Sequence, residues 1–389
     1  MAEIMRNAST RKKTDSSIQA SIGQLLIIGF DGTEMSPRLA SLLTRLQPAG
    51  VILFARNIRS GEQTYKLLKN CQACVSTPLF TCVDMEGGRV DRFRNVTGSS
   101  PSAADVFATG DRKLFRKHGE VIGESCRALG FNTDFAPVVD LAFEASKAVM
   151  SSRAVSADPK EAVVYARGFL AGLRSANVVG SAKHFPGLGE ANLDTHHELP
   201  SVDKSWKKLW AADLYPYRTM HRELSMILIG HANYPAVTRD QSPASLSQKW
   251  ITDVLRKRIG YRGLVVSDDL EMGGVLKAAP IEQAGVENIR AGGDLCLICH
   301  IEEYVIRSYE ELIRTAEREP KFARRVKESV ARVLAFKKKS PALKRRPPAP
   351  SPAKLDKLSR QVWEFGEEVR IARLKKGNPG LSSPGSSSQ

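Results

Sequence analysis

Short apolar runs separated by amphipathic stretches constrain the fold of this chain more than any other feature. The runs are QLLIIGF (24–30), GVILF (50–54), PLFTCVD (78–84), FNTDFAPVVD (131–140), VVGSAKHF (178–185), SMILIGH (225–231), GLVVSDD (263–269) and DLCLICH (294–300). Each has the length of a strand buried on both faces. Helical patterns lie between most of them, with Arg112 to Leu129, Pro159 to Ser175 and Ser247 to Arg258 the clearest. Strands alternating with helices build a parallel sheet. Eight such strands predict a closed (β/α)₈ TIM barrel, and a barrel of about 250 residues or more fills most of this chain as one α/β domain.

Charge sits at one end of these runs. Asp84 closes the third, Lys183 and His184 the fifth, His231 the sixth, and Asp268 and Asp269 the seventh. Buried strands otherwise exclude charge. In a parallel barrel the C-terminal strand ends share one face, and that face carries the active site.

Other sequence features bound the function. No segment approaches the roughly 18 apolar residues of a membrane span. Residues 1–17 are polar and lack the apolar core of a signal peptide, so a disordered N-terminus and a cytoplasmic location are expected. Cys71/Cys74 and Cys296/Cys299 both read C-x-x-C, but one pair falls in a helical pattern and the other in a buried-strand pattern. Nothing else supports a metal site or a redox pair, so no metal and no cofactor are expected. The net charge of +16 is concentrated: from Lys337 onward there are 13 Lys/Arg against 4 Asp/Glu, a net +9. A basic tail can bind nucleic acid or anionic membrane, but a solvated tail is the commoner case, and no nucleic-acid partner is expected. Residues 18–339 form the predicted barrel domain. Residues 340–389 read as a Pro-rich basic linker, one helix over 354–376 and a disordered tail.

Three stretches carry chemistry. In KHFPGLGEANLDTHHELP (183–200), Asp194 stands two residues before His196 and can fix its tautomer and raise its basicity. Such a His serves as a general acid or base near neutral pH, although a structural loop with solvated histidines is the plain alternative. In LVVSDDLEM (264–272), Asp268 ends an apolar strand, where a carboxylate needs hydrogen bonds or cations. Lys183, Arg92 and Arg153 are candidate cations. An ionised Asp held there suits attack on an anomeric carbon. Asp269 competes for that role; the reading adopted gives Asp268 to the site and Asp269 to the loop. In VDMEGGRVDRF (83–93), Asp84 and Arg92 are assigned to substrate, and Glu86 and Arg89 to structure.

Taken together, these stretches resemble glycoside hydrolase family 3, in its short single-barrel β-N-acetylglucosaminidase branch. The resemblance covers about residues 20–336 and also rests on IGQLLIIGFDG, PAGVILFARN, FNTDFAPVVD and SPASLS. It implies a retaining β-N-acetylhexosaminidase with a covalent glycosyl-enzyme. Asp268 corresponds to the nucleophile and His196, paired with Asp194, to the acid/base. Asp84, Arg92, Lys183 and His184 match positions that bind N-acetylglucosamine, and Arg153 in SSRAVS matches a further sugar-binding Arg. Three positions depart from the branch: Arg-Ala-Val replaces Arg-Ser-Phe at Arg153, Leu188 stands where His is common, and Met85 where Gln is usual.

The resemblance further implies a small carbohydrate or muropeptide as the substrate, in cell-wall recycling. Rival readings are a family-3 β-glucosidase, a phosphorylase of N-acetylglucosaminides, and a non-catalytic barrel with a binding tail. A second domain usually supplies the β-glucosidase acid/base, and a Trp commonly follows that nucleophile; here Asp269 follows Asp268.

Overall fold

All eight apolar runs form strands, and these pair in chain order in a computed structural model that describes residues 21–191 and 199–377. The strands are β1 (Leu26–Ile28), β2 (Gly50–Ile52), β3 (Phe80–Val83), β4 (Thr133–Asp134), β5 (Val179–Phe185), β6 (Met226–Ile229), β7 (Leu264–Asp269) and β8 (Leu295–Ile298). Every pair is parallel, and β1 closes on β8 through Leu26↔Cys296 and Ile28↔Ile298. The result is the closed (β/α)₈ barrel that the run pattern predicts.

Caps set the helix ends. Helix α1 (Pro37–Leu46) starts with Ser36 accepting the Leu39 N–H and with Pro at its first position. Helix α2 spans Gly61–Ala73. Helix α3 (Arg112–Leu129) is capped by Asp111 and ends on Gly130 at φ +95°, a left-handed conformation that suits Gly. Helix α4 (Pro159–Ser175) starts on the Asp158 cap. The segment expected as a helix from Ser247 is a π-helix over Lys249–Arg258, preceded by a 3₁₀ turn, Ala244–Leu246. Helices α5 (Ile281–Ala291), α6 (Glu302–Arg318), α7 (Pro320–Lys339) and α8 (Pro352–Gly377) follow.

Apolar side chains fill the barrel from within, including Ile27, Ile52, Phe80, Phe135, Met226, Val266 and Leu297. The end of α7 closes the N-terminal mouth. There Val333 and Phe336 pack on that inner cluster, and the buried Lys337 Nζ donates to Gln24 Oε1 at 2.8 Å. Within the segment read as an extended linker, Pro341–Lys344 makes a turn of helix and Ala342 is buried against the same mouth. With one mouth plugged, the strand C-termini form the open face. No helix among the described residues is long and apolar enough to cross a membrane. Residues 1–17, the tail from 378, Asp194 and His196 lie outside the described residues.

Candidate active site

A cavity of about 210 Å³ opens at the strand C-termini. It is smaller than the roughly 300–1,000 Å³ of pockets for drug-sized ligands and suits one small ring. Asp84, Arg92, Arg153, Lys183, His184 and Asp268 all line it, so six of the eight residues singled out from sequence meet in one place. The other two, Asp194 and His196, fall in the undescribed stretch.

The strands explain this convergence. Asp84 directly follows β3, Lys183 and His184 lie in the last turn of the long β5, and Asp268 is next to last in β7. Arg153 arrives differently, on a 3₁₀ turn, Ser151–Arg153, at the end of the excursion from β4 to α4.

Two bases and two acids interlock along one wall. The Arg153 guanidinium donates to Glu86 through Nε and Nη2, each at 2.8 Å. The Lys183 ammonium donates to Asp84 at 2.7 Å and lies 2.7 Å from Glu86. Burial alone would raise the Glu86 carboxyl, but Arg153 and Lys183 hold it well below the carboxylate range. Burial also opposes the charge on Lys183, and Asp84 and Glu86 outweigh it, so its pKa is raised. Glu86, read from sequence as structural, is therefore the anchor that aligns two cations assigned to substrate, and it lines the cavity itself.

His184 is held from behind. Its Nδ1 lies 2.6 Å from Asp140 Oδ2, and the same oxygen accepts the His184 N–H at 3.1 Å. The other Asp140 oxygen accepts the Leu188 N–H at 2.8 Å. This leaves Nε2 toward the cavity, 3.5 Å from Arg153 Nη2. Leu188 lines the cavity, while the Met85 side chain is buried away from it in the core. Arg92 faces the Phe54 ring, 5.8 Å from its centroid, and has no carboxylate partner among the described residues.

Asp268 is ionised despite its surroundings. Burial raises its pKa, but its neighbours His184, His231 and Lys183, together with the Asp269 N–H donated to Oδ1 at 2.9 Å, bring the carboxyl below the ordinary range. His231 is itself held low by burial, whereas Lys183 has its pKa raised and keeps its charge. The candidate cations Arg92 and Arg153 are engaged elsewhere: Arg153 pairs with Glu86, and Arg92 lies over the Phe54 ring. Asp269 accepts the Glu271 N–H at 3.1 Å and lies 3.3 Å from His300 Nε2 at the rim.

Sequence reasoning left Asp140 and Glu86 out of the site. Asp140 ends its apolar run, as Asp84 does, and that position was the available signal. The lining includes four carboxylates, Asp84, Glu86, Asp268 and Asp269, and four permanent cations, Arg89, Arg92, Arg153 and Lys183. Balanced charge with many donors and acceptors fits an uncharged, hydroxyl-rich ligand, and among the described residues Asp268 has no ion-pair partner.

The profile of the glycosyl hydrolase family 3 N-terminal domain matches residues 17–336. A β-hexosaminidase of Alkalilimnicola ehrlichii is 37% identical over 287 residues, covering 72% of this chain and 82% of that protein. One of Idiomarina loihiensis is 34% identical over 279 residues, 71% and 83% of the two chains. The solved structure of a glycoside hydrolase family 3 β-N-acetylglucosaminidase from Paenibacillus sp. str. FPU-7 matches with a TM-score of 0.84 at 30% identity, over 90% of this chain and 68% of that one.

Proposed function

The chain belongs to glycosyl hydrolase family 3, and on that premise we propose that it is a retaining exo-β-N-acetylhexosaminidase that releases a terminal, non-reducing β-linked N-acetylglucosamine. The observation that carries this reading is Asp268: a half-buried carboxylate at the end of β7, its pKa lowered by His184, His231 and Lys183 around it, on the wall of a ring-sized cavity.

In this mechanism an Asp268 oxygen attacks the anomeric carbon while His196 protonates the departing glycosidic oxygen. Asp194 keeps the imidazole in the donating orientation. Water then attacks the same carbon, His196 takes its proton, and the Asp268–sugar bond breaks. Asp84 accepts from sugar hydroxyls, and Arg92, Arg153, Lys183 and His184 donate to the ring substituents. Lys183 thus links sugar binding to the field that ionises the nucleophile, since it both holds Asp84 and lowers Asp268.

The aglycone we assign is an anhydromuramyl peptide from peptidoglycan turnover, supported by the resemblance to the single-barrel branch. Hydrolysis of a chromogenic N-acetylglucosaminide by wild type and by Asp268→Ala tests the activity: the variant should lose at least a thousandfold in kcat, and equal rates would reject the reading. Release of N-acetylglucosamine from a defined N-acetylglucosaminyl-anhydromuramyl peptide tests the aglycone.

A further inference from the structure

Beyond residue 336, where the family match ends, α8 lies against the barrel on the side of the Glu86 wall. Its Leu358, Val362, Phe365 and Val369 are buried, spaced four, three and four apart as one helix face requires. They enter the same core cluster as α3 residues Phe115 and Ile122. Phe365 stacks on His118 of α3, with ring centroids 5.6 Å apart and planes inclined by 29°. His118 is fully buried, and its Nδ1 meets Tyr165 Oη at 2.9 Å. Its Nε2 faces the bare side of Gly87: a Cβ built there would lie 3.0 Å from Nε2 and 2.2 Å from the Pro101 carbonyl oxygen, so the room for a side chain is already taken.

Gly87 and Gly88 form the turn that leaves Glu86, at φ +82° and +59°. The Glu86 N–H donates to Val90 O and the Gly88 N–H to Ser100 O, each at 2.9 Å. Phe365, His118, Gly87 and Glu86 are thus successive neighbours, and Glu86 is the anchor of Arg153 and Lys183. Close-packed interiors pass a displacement on rather than absorb it.

We propose that α8 is a brace for the sugar-binding wall: Phe365, acting through His118, positions the Gly87–Gly88 turn and so the Glu86 carboxylate that aligns Arg153 and Lys183. This rests on the reading of that wall as the sugar site. Phe365 and His118 touch no substrate; they are positioning residues, and their effect should fall on KM more than on kcat.

The test uses the full chain and a chromogenic N-acetylglucosaminide, well below the Tm of each variant. Phe365→Ala should raise KM at least fivefold and change kcat less than twofold, and Phe365→Leu should raise KM about twofold. Leu355→Ala is the control. Leu355 is on the same helix but packs at Gly61 of α2, away from the wall. It should lower Tm and leave KM unchanged. If Phe365→Leu leaves KM unchanged, or Leu355→Ala raises it as much as Phe365→Ala, the brace is refuted and α8 only stabilises. Asp84→Ala separates the two claims. If it leaves KM unchanged, the sugar-wall reading falls and the brace with it; if it raises KM while the Phe365 variants do not, the brace alone falls.

Discussion

Arg153 and Glu86 meet fork to fork, Nε on Oε2 and Nη2 on Oε1, both at 2.8 Å. Such paired, charge-assisted bonds fix direction as well as distance. Because the same carboxylate also meets Lys183, one acidic side chain sets the aim of two cations in the cavity.

Glu86→Gln keeps the shape and removes the charge. Breaking a buried ion pair from one side costs about 3–5 kcal/mol, because a buried charge is left uncompensated. The expected result is a drop of at least a hundredfold in kcat/KM on a chromogenic N-acetylglucosaminide. A loss under threefold would mean that Arg153 and Lys183 hold their positions without Glu86.

His196→Ala should depend on the leaving group. Rates on an unactivated disaccharide should fall at least a hundredfold, in the range assigned to general acid catalysis. Rates on an aryl glycoside with an acidic leaving group should fall far less. An unchanged disaccharide rate would remove His196 from the mechanism.

Asp134 should prefer to be neutral. It is fully buried, and burial drives its carboxyl well above the carboxylate range, although the Met85 N–H it accepts and Lys183 oppose this. An unfolded Asp loses its proton near pH 3.9. Above that pH, folding must take up a proton here, so the stability contributed at low pH is lost as pH rises toward the folded pKa. Asp134→Asn should therefore gain Tm relative to wild type at pH 8 and less, or nothing, at pH 4. A lower relative Tm at pH 8 than at pH 4 would contradict this.

Lys337 gives the opposite sign. Burial lowers its pKa to about 7. Below that pH both folded and unfolded chains carry the charge, and the buried ammonium costs stability. Above it, folding releases a proton, and the deficit shrinks as pH rises toward the unfolded value of about 10.4. Lys337→Met should raise Tm more at pH 6 than at pH 9. Equal gains at both would show that Lys337 titrates normally.

The barrel was legible because each strand is a compact apolar run, and the site face because charge collects at one end of those runs. Asp84, Lys183, His184 and Asp268 could be found by that rule alone. Glu86 could not: it lies two residues past Asp84 in a glycine turn, and chain spacing does not tell which way a side chain leaves such a turn. Asp140 was hidden for a related reason. Only Thr133–Asp134 of its run forms β4 proper; Asp140 meets His184 because the run goes on pairing with β5, through the Val138↔Lys183 bridge and the Val139 N–H donated to Lys183 O, and that pairing is tertiary structure. His231 stood in plain view at the end of the sixth run, yet its partners, Ser245 Oγ at 2.7 Å and the Asp269 carbonyl at 2.8 Å, belong to tertiary structure. The π-helix was not legible either, since its apolar spacing reads as an ordinary helix.

The nucleophile is the centre of this account, and trapping it is the direct measurement. A slow, fluorinated N-acetylglucosaminide with a good leaving group should leave one sugar on the protein, seen by intact mass. Peptide mapping should place that sugar on Asp268, and Asp268→Asn should not be labelled. Labelling on Asp269, or on any other carboxylate of the cavity while Asp268 stays free, would contradict it.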